Sequence, residues 1–223
     1  RNATVVIDKG VTIEGTILIT GTDATLDVYG TIDTTANGNE NAAIQTNGSD
    51  TTNSTINLYN GAVVKANTHA IYHPGTGTLN VHDGAVVQGG NVGIEMRAGT
   101  LNVYGDAAIT GGEGTPSSNS NGSGTTTNNA AVAIAQHVTG NPVVFNAYGG
   151  TYTGGAAVYE SNPEGNDTAT IEKVEINIED GMFDGSIYSE DRTGFVSGGI
   201  FTEQPNNSYV YPGLAAVEDG SGN

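Results

Sequence analysis

GTLNVHDGAVVQGG, from Gly77 to Gly90, is followed by GTLNVYGDAAITGG, from Gly99 to Gly112, 22 residues further on. A near-copy at that distance marks a stacked repeat unit, which a catalytic motif does not require. With TLNVY as anchor, related segments are Thr4 to Asp8 (TVVID), Thr25 to Tyr29 (TLDVY), Thr55 to Tyr59 (TINLY), Thr78 to His82 and Thr100 to Tyr104. Weaker copies are Val144 to Tyr148 (VFNAY), Glu175 to Glu179 (EINIE) and Thr193 to Ser197 (TGFVS). Each of these eight anchors is followed by a turn and a second short segment: GVTIEG, GTIDTT, GAVVKA, GAVVQG, DAAITG, GTYTGG, GMFDGS or GIFTEQ. Seven then show a third: TILIT, AAIQT, HAIYH, VGIEM, AVAIAQ, AAVYE and SIYSE. Three strands per unit in a fixed order is the signature of a β-solenoid coil.

Within TLNVY the Leu and Val sit two apart and share one face, so Leu26/Val28, Ile56/Leu58, Leu79/Val81, Leu101/Val103 and Ile176/Ile178 are expected to stack inward. The register of Phe145 is ambiguous between Val144 and Ala147, and the second strand alternates too loosely for its faces to be assigned. Three-strand coils of this length predict an all-β, three-sheet right-handed parallel β-helix of about eight coils over residues 1–204, followed by a cap or linker at 205–223. Stacked at the usual strand spacing, eight coils make a rod on the order of 40 Å long. From Leu101 to Phe145 there is one coil, because EGTPSSNSNGSGTTTNN (Glu113 to Asn129) is inserted between its second and third strands. Its low complexity predicts a mobile loop that protrudes from the rod.

The composition fits a thin, elongated core: 36% hydrophobic residues, 34 glycines and no tryptophan in 223 residues. Six Lys and Arg face 24 Asp and Glu, a formal charge of -18. Phosphate binding needs concentrated positive charge, so nucleic acid is excluded as a partner. No apolar run is long enough for a membrane-spanning helix, so no membrane insertion is expected. The absence of cysteine removes disulfides and thiolate metal sites. Acidic, Thr/Asn/Gly-rich and Lys-poor, the chain reads as bacterial and extracellular, secreted or at the cell surface. It begins inside a patterned segment, TVVIDKGVTIEG, from which other domains of a longer chain are expected.

Two sets of residues are candidates for function. Outward on the first sheet, Asp27, Asn57, Asn80, Asn102, Asn146 and Asn177 form a polar row beside an aromatic row of Tyr29, Tyr59, His82, Tyr104 and Tyr148. Like side chains at strand spacing stabilise one another by stacking and hydrogen bonding. Alternatively, rings pack on sugar faces while amides bond hydroxyls, which makes a glycan platform. The second set lies near the end of the third strand: Tyr72, His73, Glu95, Arg97, Gln136, His137, Tyr159, Glu160 and Tyr188, with Glu190, Asp191 and Arg192 after them. They are expected along one edge of the rod, outside the core, as a ligand-binding surface. Carboxylates there could act as acid and base on a glycosidic bond, or Arg97 beside a uronate; turns also collect polar residues for no chemical reason. No HExxH, GxSxG or EF-hand loop is present, and no catalytic residue is assigned. No cofactor is expected; calcium is the one ion the acidic loops at Glu164 to Asp167 and Glu190 to Asp191 would suit, but no spacing singles out a metal site.

The end of the chain, GGIFTEQPNNSYVYPGLAAVEDGSGN, carries Gly199/Phe201, Pro205, Tyr209/Val210 and Gly213 to Val217 in an order that resembles a terminal unit of repetitive cell-surface and adhesin proteins of Gram-positive gut bacteria. The rhythm of the coils resembles the pectin-lyase-like β-helix superfamily. That resemblance implies any of several functions, since lyases, hydrolases, adhesins and phage fibres share the fold. The expected function is a non-catalytic surface module that displays loops and binds a glycan or a host surface molecule. A polysaccharide lyase or glycoside hydrolase, and a purely structural stalk, are the alternatives.

Overall fold

The computed structural model describes residues 3–38 and 41–217, and for Asn37, Ser49, Asp50 and Thr51 the backbone alone. The first coil is β1 (Thr4–Ile7), β2 (Thr12–Ile13) and β3 (Ile17–Thr22). The second is β4 (Thr25–Val28), β5 (Thr31–Asp33), a 3-10 turn at Thr35–Asn37 and the start of β6 (Ile44–Leu58). β6 rounds the corner into a third coil with β7 (Val63–Ala66) and β8 (His69–His73). β9 (Thr76–Val81), β10 (Val86–Gly89) and β11 (Val92–Met96) form the fourth. β12 (Gly99–Thr110), the short β13 (Ser117–Ser118) and β14 (Thr127–Asn128), and β15 (Ala130–Ala135) form the fifth. β16 (Val143–Ser161) and β17 (Val174–Ser189) each run through a whole coil, with α1 (Thr168–Ile171) between them, and β18 (Ile200–Phe201) is the second strand of the last. Apart from β13 and β14, which pair antiparallel, the strands pair in parallel from coil to coil. The chain is a three-sided parallel β-helix.

Leu26, Ile56, Leu79 and Leu101 are register partners in one column, extended by Phe145 and Ile176. All six are buried. Direct pairing of Leu101 with Phe145 shows that the 44-residue interval holds a single coil. It also fixes the register there: Val143, Phe145 and Ala147 face the core while Val144 lies outside. The second strands, unassigned from sequence, build an eight-residue column of Ile13, Ile32, Val64, Val87, Ile109, Tyr152, Phe183 and Phe201. Its last three rings stack at 4.6 and 4.9 Å. Tyr152 fits there because its hydroxyl donates to Gly149 O at 2.8 Å. A third column runs from Ile17 through Ile44, Ile71, Ile94, Val132 and Val158 to Ile187. Burying one such side chain contributes about 1.5–3 kcal/mol, and only stacking on the next coil buries it.

The glycines that open GTLN are required by this stacking. Gly99 has φ +81, and a Cβ on it would collide with the Gly77 carbonyl of the coil below. At the C-terminal end, Val196 bridges both Ile178 and Val210, and Tyr209 is buried with its ring 5.1 Å from that of Phe195. The Tyr209 hydroxyl donates to Ser189 O at 2.9 Å and accepts from Ser189 N–H at 3.1 Å. A side chain thus satisfies the strand edge where no third strand follows. Residues 218–223 of the expected cap, and Asn39 and Glu40 after the 3-10 turn, lie outside the described residues.

The expectation that Glu113 to Asn129 protrudes from the rod is corrected. The insertion folds back on the outer face of the third sheet, where β14 packs against β11 and β15. Thr126 and Thr127 are buried. Beneath lies a small apolar patch of Val92, Ala130, Ala133 and Ala156, with Tyr159 packed on it. An outward sheet face of small apolar residues has to be covered, and this segment covers it.

Candidate functional site

The insertion is held down by buried charges. Glu95 faces outward on β11, and its Oε1 accepts from Thr126 N–H at 2.8 Å and Thr126 Oγ1 at 2.7 Å. His69 Nε2 lies 2.9 Å from Glu95 Oε2 and 3.2 Å from Thr127 O, the carbonyl being the better aligned. Both are acceptors, so the ring carries its proton on Nε2. Arg97, fully buried, donates from Nε to Ala135 O at 3.0 Å, from Nη1 to Asn121 O at 2.6 Å and to Gly124 O, and from Nη2 to Glu164 Oε1 at 2.8 Å. Glu164 also accepts from Asn121 N–H at 2.9 Å and from Ser120 Oγ at 3.1 Å. Burial is the largest single influence on Glu164 and opposes its charge. The hydrogen bonds from Asn121, Arg97 and Ser120 together outweigh it, so its carboxyl lies below the ordinary glutamate value.

The expected rod edge therefore divides. Successive residues of a strand face opposite ways, so Tyr72 and His73, or Tyr159 and Glu160, cannot share a surface. His73 points inward; its Nδ1 donates to Ala98 O at 3.1 Å, and burial lowers its pKa to about 4, leaving it neutral. Glu160 lies in the same inward column as Ile134 and Met96. Its Oε2 accepts from Ser189 Oγ at 2.6 Å and Asp191 N–H at 3.1 Å, and burial pushes its pKa up. Gln136 is a tie: its Nε2 donates to Asn141 O and Thr170 O at 2.8 and 3.1 Å, and its Oε1 accepts from Asn166. Tyr159 and Tyr188 stack at 4.9 Å further along the rod. Tyr72, Arg97 and Glu160, expected outside the core, are all buried. Among the described residues no group of three or more His, Asp or Glu side chains could hold a metal ion.

What the fold does bring together is a cleft of about 720 Å³ on the third sheet. Its floor is the strand from Thr68 to Pro74, with His69 and Tyr72; residues 41–48 of the preceding coil form one wall, and the insertion from Asn119 to Asn128 forms the other, with His137 and Thr139 beside it. Among the described residues that line it there is no Asp, Glu, Lys or Arg. Gln45 is the register neighbour of Tyr72. The Tyr72 hydroxyl is buried with no well-aligned hydrogen bond, and burial raises its pKa while the Arg97 charge partly offsets that. His137 Nδ1 accepts from Thr139 N–H at 3.2 Å; burial and then the Arg97 charge lower its pKa. Of the expected edge residues, Tyr72 and His137 line this cleft, while Glu95 and Arg97 lie behind its wall.

The aromatic row is real but its ring faces are occupied. Tyr29, Tyr59, His82, Tyr104 and Tyr148 stack with centroids 4.5, 4.9, 5.5 and 5.4 Å apart, at interplanar angles from 4° to 20°. Sugars pack on ring faces, and the inner three rings present edges only. Beside them each amide bonds the next: Asn57 to Asp27, Asn80 to Asn57, Asn102 to Asn80, Asn146 to Asn102 and Asn177 to Asn146, at 2.7 to 2.9 Å. Both rows are spent on the rod itself. No family model, no curated protein and no solved structure matches the chain.

Proposed function

We propose that this chain is a non-catalytic β-helix module of an extracellular bacterial surface protein, one that binds a neutral glycan in the third-sheet cleft. The observation that carries this reading is the absence of charge from the described lining of the cleft, in a chain with 24 acidic residues. Amides, hydroxyls and two imidazoles are the groups that exchange hydrogen bonds with sugar hydroxyls. The nearby carboxylates argue against the lyase or hydrolase alternative. Glu95 bonds the insertion through Oε1 and is buried behind the wall, Glu164 bonds it through both oxygens, and Glu160 lies inside the rod. The two resemblances, to the pectin-lyase-like superfamily and to Gram-positive surface proteins, support the setting. A glycan array run beside a reducing-sugar release assay tests the reading. Binding without release is the expected result. Release of reducing ends would favour the enzyme, and silence in both assays would favour a structural stalk.

A further inference from the structure

The cleft has a direction. Its floor runs from Thr68 through β8 to Pro74, while its walls come from the coil before and the coils after. The six steps from Thr68 to Pro74 span about 20 Å if extended, and the groove runs crosswise to the rod for that length. Both edges of the floor strand are taken, by β6 on one side and β11 on the other. An extended peptide adding itself as a strand would find no free backbone there. Among the described residues that line the cleft, the one buried side-chain polar atom without a well-aligned hydrogen bond is the Tyr72 hydroxyl, midway along the floor and next to Gln45 of the adjacent coil. Tyr72 is only 8% exposed, so a buried hydroxyl without a good partner sits under the middle of the groove.

Resting on the neutral-glycan reading, we infer that the groove takes an internal stretch of an unbranched neutral polysaccharide laid across the rod, with the Tyr72 hydroxyl and the Gln45 amide as the central hydrogen-bonding pair. A chain end or a single sugar would use only part of this length. The test is calorimetric titration of the whole chain with linear hexasaccharides of glucan, xylan, mannan and galactan, together with the monomer and dimer of each. At least one hexamer is expected to bind. Its affinity should exceed that of the dimer by at least about ten-fold, because each added sugar gains contacts along the groove. Tyr72→Phe should weaken the hexamer about ten-fold while leaving the melting temperature unchanged or raised, since the lost hydroxyl has no good partner in the free protein. Equal binding of monomer and hexamer would overturn the crosswise chain and leave the neutral-glycan reading standing. Failure of all four hexamers, or capture of an uncharged Ser/Asn decapeptide in their place, would overturn both. Unchanged hexamer affinity in Tyr72→Phe would overturn the role of the hydroxyl.

Discussion

Arg97 Nη2 donates to Glu164 Oε1 at 2.8 Å across 67 positions of the chain, with both side chains almost wholly removed from solvent. The same guanidinium holds Asn121 and Gly124 of the insertion and Ala135 of β15. One of only six basic residues thus joins two excursions from the rod and closes the wall of the cleft.

Removing one partner of a buried charge pair leaves the other uncompensated, at a cost of about 3–5 kcal/mol. Arg97→Ala is therefore expected to lower the melting temperature by on the order of 10 °C. Deletion of residues 115–126 should also destabilise, because Glu95 loses Thr126 and Arg97 loses Asn121 and Gly124. A deletion variant as stable as the parent, in a differential scanning measurement, would show that the insertion is not part of the packed structure.

Leu79 is fully buried between Ile56 and Leu101. Leu79→Asp places a carboxylate in a core one side chain deep with nothing to pair it. Loss of folded protein is expected, read as loss of the cooperative transition in far-UV circular dichroism.

The amide row gives a graded test. Asn102 sits in its middle and makes two bonds, to Asn80 and from Asn146; Asn177 ends it with one. At about 0.5–1.5 kcal/mol per bond, Asn102→Ala should cost about twice as much as Asn177→Ala in denaturant titration. Equal costs would mean that the row adds nothing beyond its strands.

Acid should weaken the fold in two steps of known sign. His73 has a folded pKa lowered from 6.5 to about 4, so the unfolded chain takes up a proton that the core refuses. Stability is full above pH 6.5 and falls progressively between 6.5 and 4. Glu164, also lowered, adds a loss further down, as pH falls from its ordinary value of 4.5 through its folded one. Glu160, raised by burial, has the opposite sign and weighs against the folded state at neutral pH. His73→Gln should flatten the pH 6.5 to 4 segment of the melting-temperature profile. At pH 7 Glu160→Gln should be neutral or stabilising and Glu164→Gln destabilising.

The coils were legible because a solenoid writes its packing locally. Leu26, Ile56, Leu79 and Leu101 each sit in the same short word, and identical words stack in register. The second-strand column was not legible, since GVTIEG and GTYTGG alternate loosely and only pairing shows Ile13 and Tyr152 in one row. The site was legible in part. Tyr72 and His137 were among its expected residues, but grouping them with His73 and Glu160 ignored strand alternation. Gln45, His69, Thr126 and Glu164 were missed because they meet through an insertion whose Ser/Asn/Gly composition reads as disorder. One signal was present: Thr125 to Thr127 is a β-branched run in an otherwise turn-like segment. A scarce Arg97 whose own coil holds only Asp83 and Glu95 as acids was the other.

Everything proposed about the cleft depends on the insertion being a fixed wall. Amide hydrogen exchange of the free protein tests this most directly, residue by residue. The N–H groups of Asn119, Asn121 and Thr126 are bonded to Thr126 O, Glu164 Oε1 and Glu95 Oε1 respectively. They are expected to exchange orders of magnitude more slowly than an unstructured chain, and to lose that protection in Arg97→Ala. Exchange of all three at the unstructured rate in the parent protein would contradict the account, because the groove would then have no second wall.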